Sequence, residues 1–277
     1  MQTLKNALIT GASAGIGEQL ALCLHKRGYD VILTARREDN LKTLCDSLNR
    51  HRANSASFIS ADLASSADRK ALSRYIQTNR IDLLVNNAGF GSFGQLDQLA
   101  VEREQEMIEV NIKAVLELTH SVLPQMKSRR SGSIITVSSI AGFQPLPFMA
   151  TYAATKAWDL YFSLALREEL RDFKIKVVAL CPGPVATEFG GVARVPGEMT
   201  SIARDSASYV AEQAVTGLER NRSVVIPGRR SWLLSLGSRF LPSFLTVSLA
   251  GWALRPSLKH SEHTKGLSDS HKSDRKL

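Results

Sequence analysis

The 277-residue sequence predicts an α/β protein, a doubly wound parallel sheet with helices on both faces. Three observations predict it. Short β-rich runs alternate with longer runs of helical periodicity, as βα crossovers require. Runs such as Val31-Ile32-Leu33 and Val177-Val178-Ala179-Leu180 are apolar throughout, the pattern of strands buried on both faces. The first strand-to-helix junction is rich in glycine, reading Thr10-Gly11-Ala12-Ser13-Ala14-Gly15-Ile16-Gly17.

The elements follow in order. Residues 5–10 read as the first strand; their apolar run Ala7-Leu8-Ile9 is too short for a signal-peptide core. After the glycine turn a helix runs to about residue 27. Residues 30–35 form the second strand and 39–50 a helix. Residues 56–60 are the third strand and 64–78 a helix. The fourth strand, 81–85, ends in Asn86-Asn87-Ala88-Gly89. A long helical region spans 96–127. The fifth strand, 132–137, ends in Ser138-Ser139, and 151–173 is helical. The sixth, 176–180, ends in Cys181-Pro182-Gly183-Pro184. A helix over 208–219 and a short strand over 223–226 complete about seven strands. No low-complexity linker interrupts residues 1–230, which read as one domain.

Composition narrows the function classes. Cys23, Cys45 and Cys181 stand far apart with no CxxC pair, which argues against a disulfide scaffold or zinc ribbon and for a reducing, cytoplasmic setting; no metal site is expected. The formal charge of +9 is unevenly placed. From Arg220 onward there are 11 Lys/Arg against 3 Asp/Glu, and before it 24 against 23. A nearly neutral body disfavours a nucleic-acid binder.

Ligands of doubly wound sheets sit at the carboxyl ends of the strands. At the first such end, glycines let the backbone turn sharply and approach a pyrophosphate, with helix N–H groups aimed at its charge. The second strand ends Thr34-Ala35-Arg36-Arg37 with no acid to bind a ribose 2′-hydroxyl. A guanidinium there suits a 2′-phosphate, so NADP(H) is expected ahead of NAD(H), with Arg36 ahead of Arg37. Asp62 and Leu63 follow the third strand toward the adenine. The small residues of Asn87-Ala88-Gly89 allow backbone contact on the adenosine side. The expected cofactor contacts are Gly11, Ser13, Gly15, Ile16, Gly17, Arg36, Arg37, Asp62, Leu63, Asn87, Ala88 and Gly89.

The chemical end comes next. Tyr152 and Lys156, at i and i+4, share one face of a helix that follows Ser139 by thirteen residues. A phenol with an ordinary pKa of about 10 is a poor acid–base group at neutral pH. A nearby ammonium favours its ionised form, so Tyr152 can exchange a proton with a carbonyl or alcohol oxygen. Ser139 can hydrogen-bond the same oxygen.

With the motifs TGASAGIG, NNAG, Ser139, YAATK and PGPVAT in this order, the chain resembles the short-chain dehydrogenase/reductase family over about residues 4–227. The resemblance implies a Rossmann fold with a seven-stranded parallel sheet and NAD(P)-dependent oxidoreductase activity between CH–OH and C=O. It implies a catalytic tetrad of Asn111, Ser139, Tyr152 and Lys156, with Asn111 anchoring a water in a proton relay through Lys156. It adds Pro182, Gly183, Val185 and Thr187 to the cofactor contacts, alongside Tyr152 and Lys156. Dimers or tetramers form in this family through helices that the stretch 97–173 can supply. A complete tetrad argues against an NADP(H)-binding sensor or scaffold without turnover.

The substrate is expected to be a small-molecule carbonyl or alcohol. The resemblance implies that the loop after PGPVAT, here 188–206, closes over it, and Phe90, Phe93, Phe143, Leu146, Phe148 and Met149 are candidates for an apolar wall, pointing to a fatty-acyl, steroid-like or aromatic carbonyl reduced by a carbonyl reductase. Residues 231–255 extend past the family core as an apolar helical segment that Pro242 divides. Packing on protein leads for this segment, with peripheral membrane contact second. Residues 256–277 read as a polar, basic, disordered tail.

Overall fold

The computed structural model describes residues 5–195, 205–240, 242 and 244–255. The tail at 256–277 and the middle of the expected closing segment lie outside the described residues. The elements are β1 (Lys5–Thr10), α1 (Gly15–Lys26), β2 (Tyr29–Ala35), α2 (Glu38–His51), β3 (Ala56–Ser60), α3 (Ser66–Thr78) and β4 (Leu83–Asn86). Then come α4 (Val101–Ile108), α5 (Val115–Ser128), β5 (Gly132–Val137), α6 (Ala150–Glu169) and β6 (Ile175–Leu180). The chain continues through β7 (Val185–Ala186), α7 (Phe189–Val192), β8 (Asp205–Ser206), α8 (Ala207–Glu219), β9 (Val224–Val225) and α9 (Arg229–Phe240), and residues 244–255 form α10.

Seven strands form one parallel sheet in the order β3-β2-β1-β4-β5-β6-β9. The apolar strands serve both faces by simple alternation. Ala7, Ile9, Leu83, Val85, Ile135 and Val178 point into a core covered by α1, α2 and α8. Their neighbours Leu8, Leu84, Ile134 and Val177 point into the opposite core, under α3, α5 and α6. From β1 the chain winds outward to β3, then returns to lay β4 against β1 and winds the other way. The reversal opens a crevice at the carboxyl ends of β1 and β4.

Three features depart from the sequence expectation. The helical region at 96–127 is divided: a 3₁₀ turn at Leu96–Gln98, then α4, then a π-helical turn at Glu109–Ala114, then α5. The wide turn carries Asn111, which is fully buried, and π turns of this kind concentrate at functional sites. The helix after Ser139 ends at Glu169, and a 3₁₀ turn leads to Lys174 with φ 57°. The two-residue strands β7 and β8 pair with each other, too short to leave a pattern in the sequence.

The C-terminal helices return to the body. Ser231 of α9 lies so close to Gly183 that a Cβ there would come 2.1 Å from the Ser231 hydroxyl oxygen. In α10, Leu254 is buried in the same core as Met149 and Tyr152, and Gly251 faces Pro147. The main-chain carbonyl of Pro242 accepts from the N–H groups of Leu245 and Thr246 at the start of α10.

Candidate active site

The carboxyl ends of the strands enclose one cleft of about 630 Å³. Of the catalytic and cofactor-contact residues expected from sequence, all but Gly17 and Asn111 line it. At one end lie the first turn, Arg36, Arg37, Asp62 and Leu63. At the other lie Ser139, Tyr152 and Lys156.

The phosphate end is built by the first turn. Gly11 and Gly15 have φ of 66° and 63°, where a side chain would be strained. Helix α1 starts after Ala14 with no side-chain cap, so its first N–H groups remain free to meet an anion. Gly17 serves packing instead of lining the cleft. A Cβ there would come 2.3 Å from Gly11 O and 2.4 Å from Asn87 Nδ2. Asn87 is in turn a brace: its Nδ2 donates to Thr10 O at 2.8 Å and Gly11 O at 3.2 Å. The Thr10 hydroxyl accepts from the N–H groups of Asn87 and Ala88, at 2.9 and 3.0 Å. The two motif turns are thus fastened to each other.

Both arginines after β2 reach the cleft. Arg37 donates from Nε to Ser13 Oγ at 3.2 Å and pairs through Nη1 with Glu188 Oε2 at 2.9 Å, spanning from the first turn to the segment after β7. Arg36 pairs with Glu106 at 3.3 Å and is 63% exposed. The turn after β3 is held by a side chain that the sequence did not single out. Arg69 is buried, pairs with Glu109 and Glu117 at 2.7 and 3.0 Å, and donates to the carbonyls of Leu63 and Ala64. No local pattern marks Arg69, because its partners come from a distant helix.

At the chemical end, Ser138 and Ser139 divide their work. Ser138 Oγ donates to Lys156 O at 2.6 Å and fastens β5 to α6. Ser139 Oγ faces the cleft and accepts from Ala141 N at 3.1 Å. Gly142 allows this turn to press on α6, since a Cβ there would lie 2.5 Å from Lys156 O. Lys156 Nζ donates to Val137 O at 2.8 Å and to Asp159 Oδ2 at 2.9 Å.

The acid–base balance differs from expectation. Burial pushes the Tyr152 phenol above its ordinary value, and Lys156 and Ser139 pull it down by less. Burial also works against the Lys156 ammonium, but Asp159, with Tyr152 and Cys181 beside it, more than compensates and its pKa is raised. The expected lowering of the phenol is therefore not met by these side chains alone, because burial outweighs Lys156 and Ser139, with Asp159 adding to it.

Asn111 does not reach the cleft. Its Nδ2 donates to Phe90 O and Thr155 Oγ1, both at 3.0 Å, and its Oδ1 accepts from Phe90 N at 3.2 Å. It holds the backbone after the NNAG turn against α6. The expected apolar wall is half correct. Phe90, Leu146 and Met149 line the cleft. Phe93 and Phe148 instead pack together, and Phe143 packs beside Leu160 and Cys181. Phe189, Val192 and Val195 complete the wall from the segment after β7. Among the described residues no His, Cys, Asp or Glu group is arranged to hold a metal, and no helix is long and apolar enough to cross a membrane.

The short chain dehydrogenase family matches residues 5–195. Hydroxysteroid dehydrogenase-like protein 1 of Gallus gallus is 32% identical over 252 residues, 90% of this chain and 76% of that protein. A short-chain dehydrogenase from Sphingobium yanoikuyae, solved in complex with NADPH, superposes with a TM-score of 0.79 at 32% identity, covering 85% of this chain and 94% of that one. A bulky-bulky ketone specific alcohol dehydrogenase from Comamonas testosteroni superposes at 0.75 with 27% identity, covering 86% and 93%. A family match over residues 5–195 and a relative 32% identical over 90% of the chain agree with the fold: this chain belongs to the short-chain dehydrogenase/reductase family of oxidoreductases.

Proposed function

We propose that the protein is an NADP(H)-dependent oxidoreductase that interconverts a carbonyl and a secondary alcohol on a bulky, apolar substrate. The observation that carries the reading is the juxtaposition of Ser139, Tyr152 and Lys156 with a wall of Phe90, Leu146, Met149 and Phe189 in one cleft. The uncapped start of α1 and the pair Arg36 and Arg37 suit the phosphates of the cofactor, and the NADPH-bound Sphingobium relative supports the choice. When bound, NADPH supplies the hydride. The chain's own residues do the rest. Ser139 orients the substrate oxygen, Tyr152 donates its proton to that oxygen, and Lys156 favours the phenolate left behind. Water is kept from the reacting end by apolar side chains. The Comamonas relative's bulky ketones support the substrate class. Steady-state turnover of NADPH and NADH over a carbonyl panel tests the reading. A bulky apolar ketone with NADPH is expected to lead, and a preference for sugars or other polar carbonyls would overturn it.

A second reading concerns the C-terminal helices. Trp232, Leu233 and Leu234 of α9 and Phe244, Leu249 and Trp252 of α10 are exposed, with Trp252 at 79%. Arg229, Arg230 and Arg255 flank them. Apolar residues bordered by cations suit the interface of an anionic bilayer, which would place a lipid surface beside α10. Co-sedimentation of the full chain with anionic vesicles is expected to weaken in a Phe244→Asp, Trp252→Asp variant; equal sedimentation would remove the idea. Exposed Leu116 on α5 and Tyr161 on α6 support a homodimer or homotetramer through these helices, which light scattering of a Tyr161→Asp variant tests.

A further inference from the structure

Helix α6 carries a third charged residue in the buried site. Asp159 is 1% exposed, and its Oδ2 accepts from Lys156 Nζ at 2.9 Å. Its Oδ1 has no hydrogen-bond partner among the described residues. A buried carboxylate with one oxygen unmatched is costly, and an apolar side chain of similar size would fill the space without that cost. Space-filling therefore does not explain the residue.

We propose that Asp159 is a positioning residue for the reaction: its carboxylate fixes the Lys156 ammonium beneath the cleft and, as a counter-charge, keeps the proton on Tyr152. The inference rests on the reading of Tyr152 as proton donor. Lys156 is held by two protein acceptors, Asp159 Oδ2 and Val137 O, which leaves one N–H of the ammonium for a ligand in the cleft.

The charge arithmetic gives the direction. With Asp159 ionised, the carboxylate, the ammonium and the neutral phenol sum to zero. Loss of the phenol proton then leaves a net negative charge in a buried site. Without the carboxylate's charge, the ammonium and the phenol sum to +1, and loss of a proton brings them to zero. Burial leaves these charges little screened. Asp159 thus opposes what Lys156 promotes and widens the pH range in which Tyr152 can donate. The other groups facing the trio are the Cys181 thiol at the end of β6, near Lys156, and the neutral hydroxyl of Ser139, near Tyr152. Asn111, from the π turn, is neutral and committed to Phe90 and Thr155.

The test is titration of Tyr152 in the full-length protein with Asp159→Asn. The phenolate absorbance of each protein is read as a difference from the same protein carrying Tyr152→Phe, which isolates one tyrosine without requiring turnover. The Tyr152 titration is expected to move to lower pH by about one unit, as for removal of a neighbouring like charge. The alkaline fall of ketone reduction with NADPH is expected to move with it. Should the Asn variant not fold, Asp159→Ser removes the same charge and is read in the same way. A Tyr152 titration that stays at the parental pH in a folded variant would overturn the proposal. A titration that shifts while Tyr152→Phe leaves reduction intact would retain the electrostatic role of Asp159 and refute Tyr152 as the donor.

Discussion

The ring of Phe189 packs against that of Tyr152, with centroids 5.2 Å apart and planes tilted by 49°. Gly91 lies against both, and a Cβ there would come 2.9 Å from Phe189 and 3.1 Å from Tyr152. A side chain from the segment after β7 therefore forms the wall beside Tyr152. Phe189→Ala is expected to lower kcat/KM for a bulky ketone roughly 10- to 100-fold, from the loss of about 1.5–3 kcal/mol of apolar contact. NADPH affinity measured by fluorescence is expected to hold; equal losses for large and small ketones would count against a role in substrate fit.

On the proposed reading, cofactor choice is set at the end of β2. Arg36 is more exposed than Arg37, which Ser13 and Glu188 already engage. Arg36→Asp is expected to weaken NADPH roughly 10- to 100-fold, as for loss of a hydrogen bond to a charged group, and to leave NADH little changed. Paired binding titrations check this, and an unmutated protein that prefers NADH would refute the assignment.

Gly17 tests the packing role of the third glycine. Its missing Cβ leaves room for Gly11 O and Asn87 Nδ2. Gly17→Ala is expected to cost about 1–3 kcal/mol of stability without any cofactor, because overpacking a backbone contact forces the first turn to move. Denaturant unfolding of the cofactor-free protein reads it. An unchanged midpoint would mean that Gly17 matters only to the ligand.

The pH dependence follows from the raised phenol. In the proposed mechanism, reduction needs Tyr152 protonated and oxidation needs it ionised. With burial and Asp159 holding the phenol above its ordinary value, reduction is expected to stay flat from neutral pH up to about the ordinary phenol value of 10. Oxidation is expected to rise throughout that range. A reduction rate already falling near neutral pH would show that the ammonium outweighs burial.

Much of this was legible in the sequence, for physical reasons. Strands buried on both faces must be apolar throughout, so Val177 to Leu180 announced the sheet. Glycines with positive φ cannot be replaced cheaply, so Gly11 and Gly15 marked the turn. Ser139, Tyr152 and Lys156 stand out only together with the glycine and NNAG turns, in an order that brings all of them to one cleft. What stayed hidden depends on contacts between distant elements. Arg69 reads as one more helix arginine until Glu109 and Glu117 arrive from another helix. Phe93 and Phe148 look like wall residues until their tilted rings are seen to pack against each other. Asn111 was placed near the site, but the π turn that aims it at Phe90 and Thr155 has no sequence signature. Asp159 stood three residues from Lys156 in plain view, and only its burial reveals the pairing.

The most direct test of the account compares the parental protein with Tyr152→Phe in NADPH-dependent reduction of a bulky apolar ketone, with NADPH binding measured on the same samples. The expected result is unchanged NADPH affinity and turnover lowered by about 10²–10⁴, the contribution of general acid catalysis. Near-parental turnover in Tyr152→Phe would contradict it.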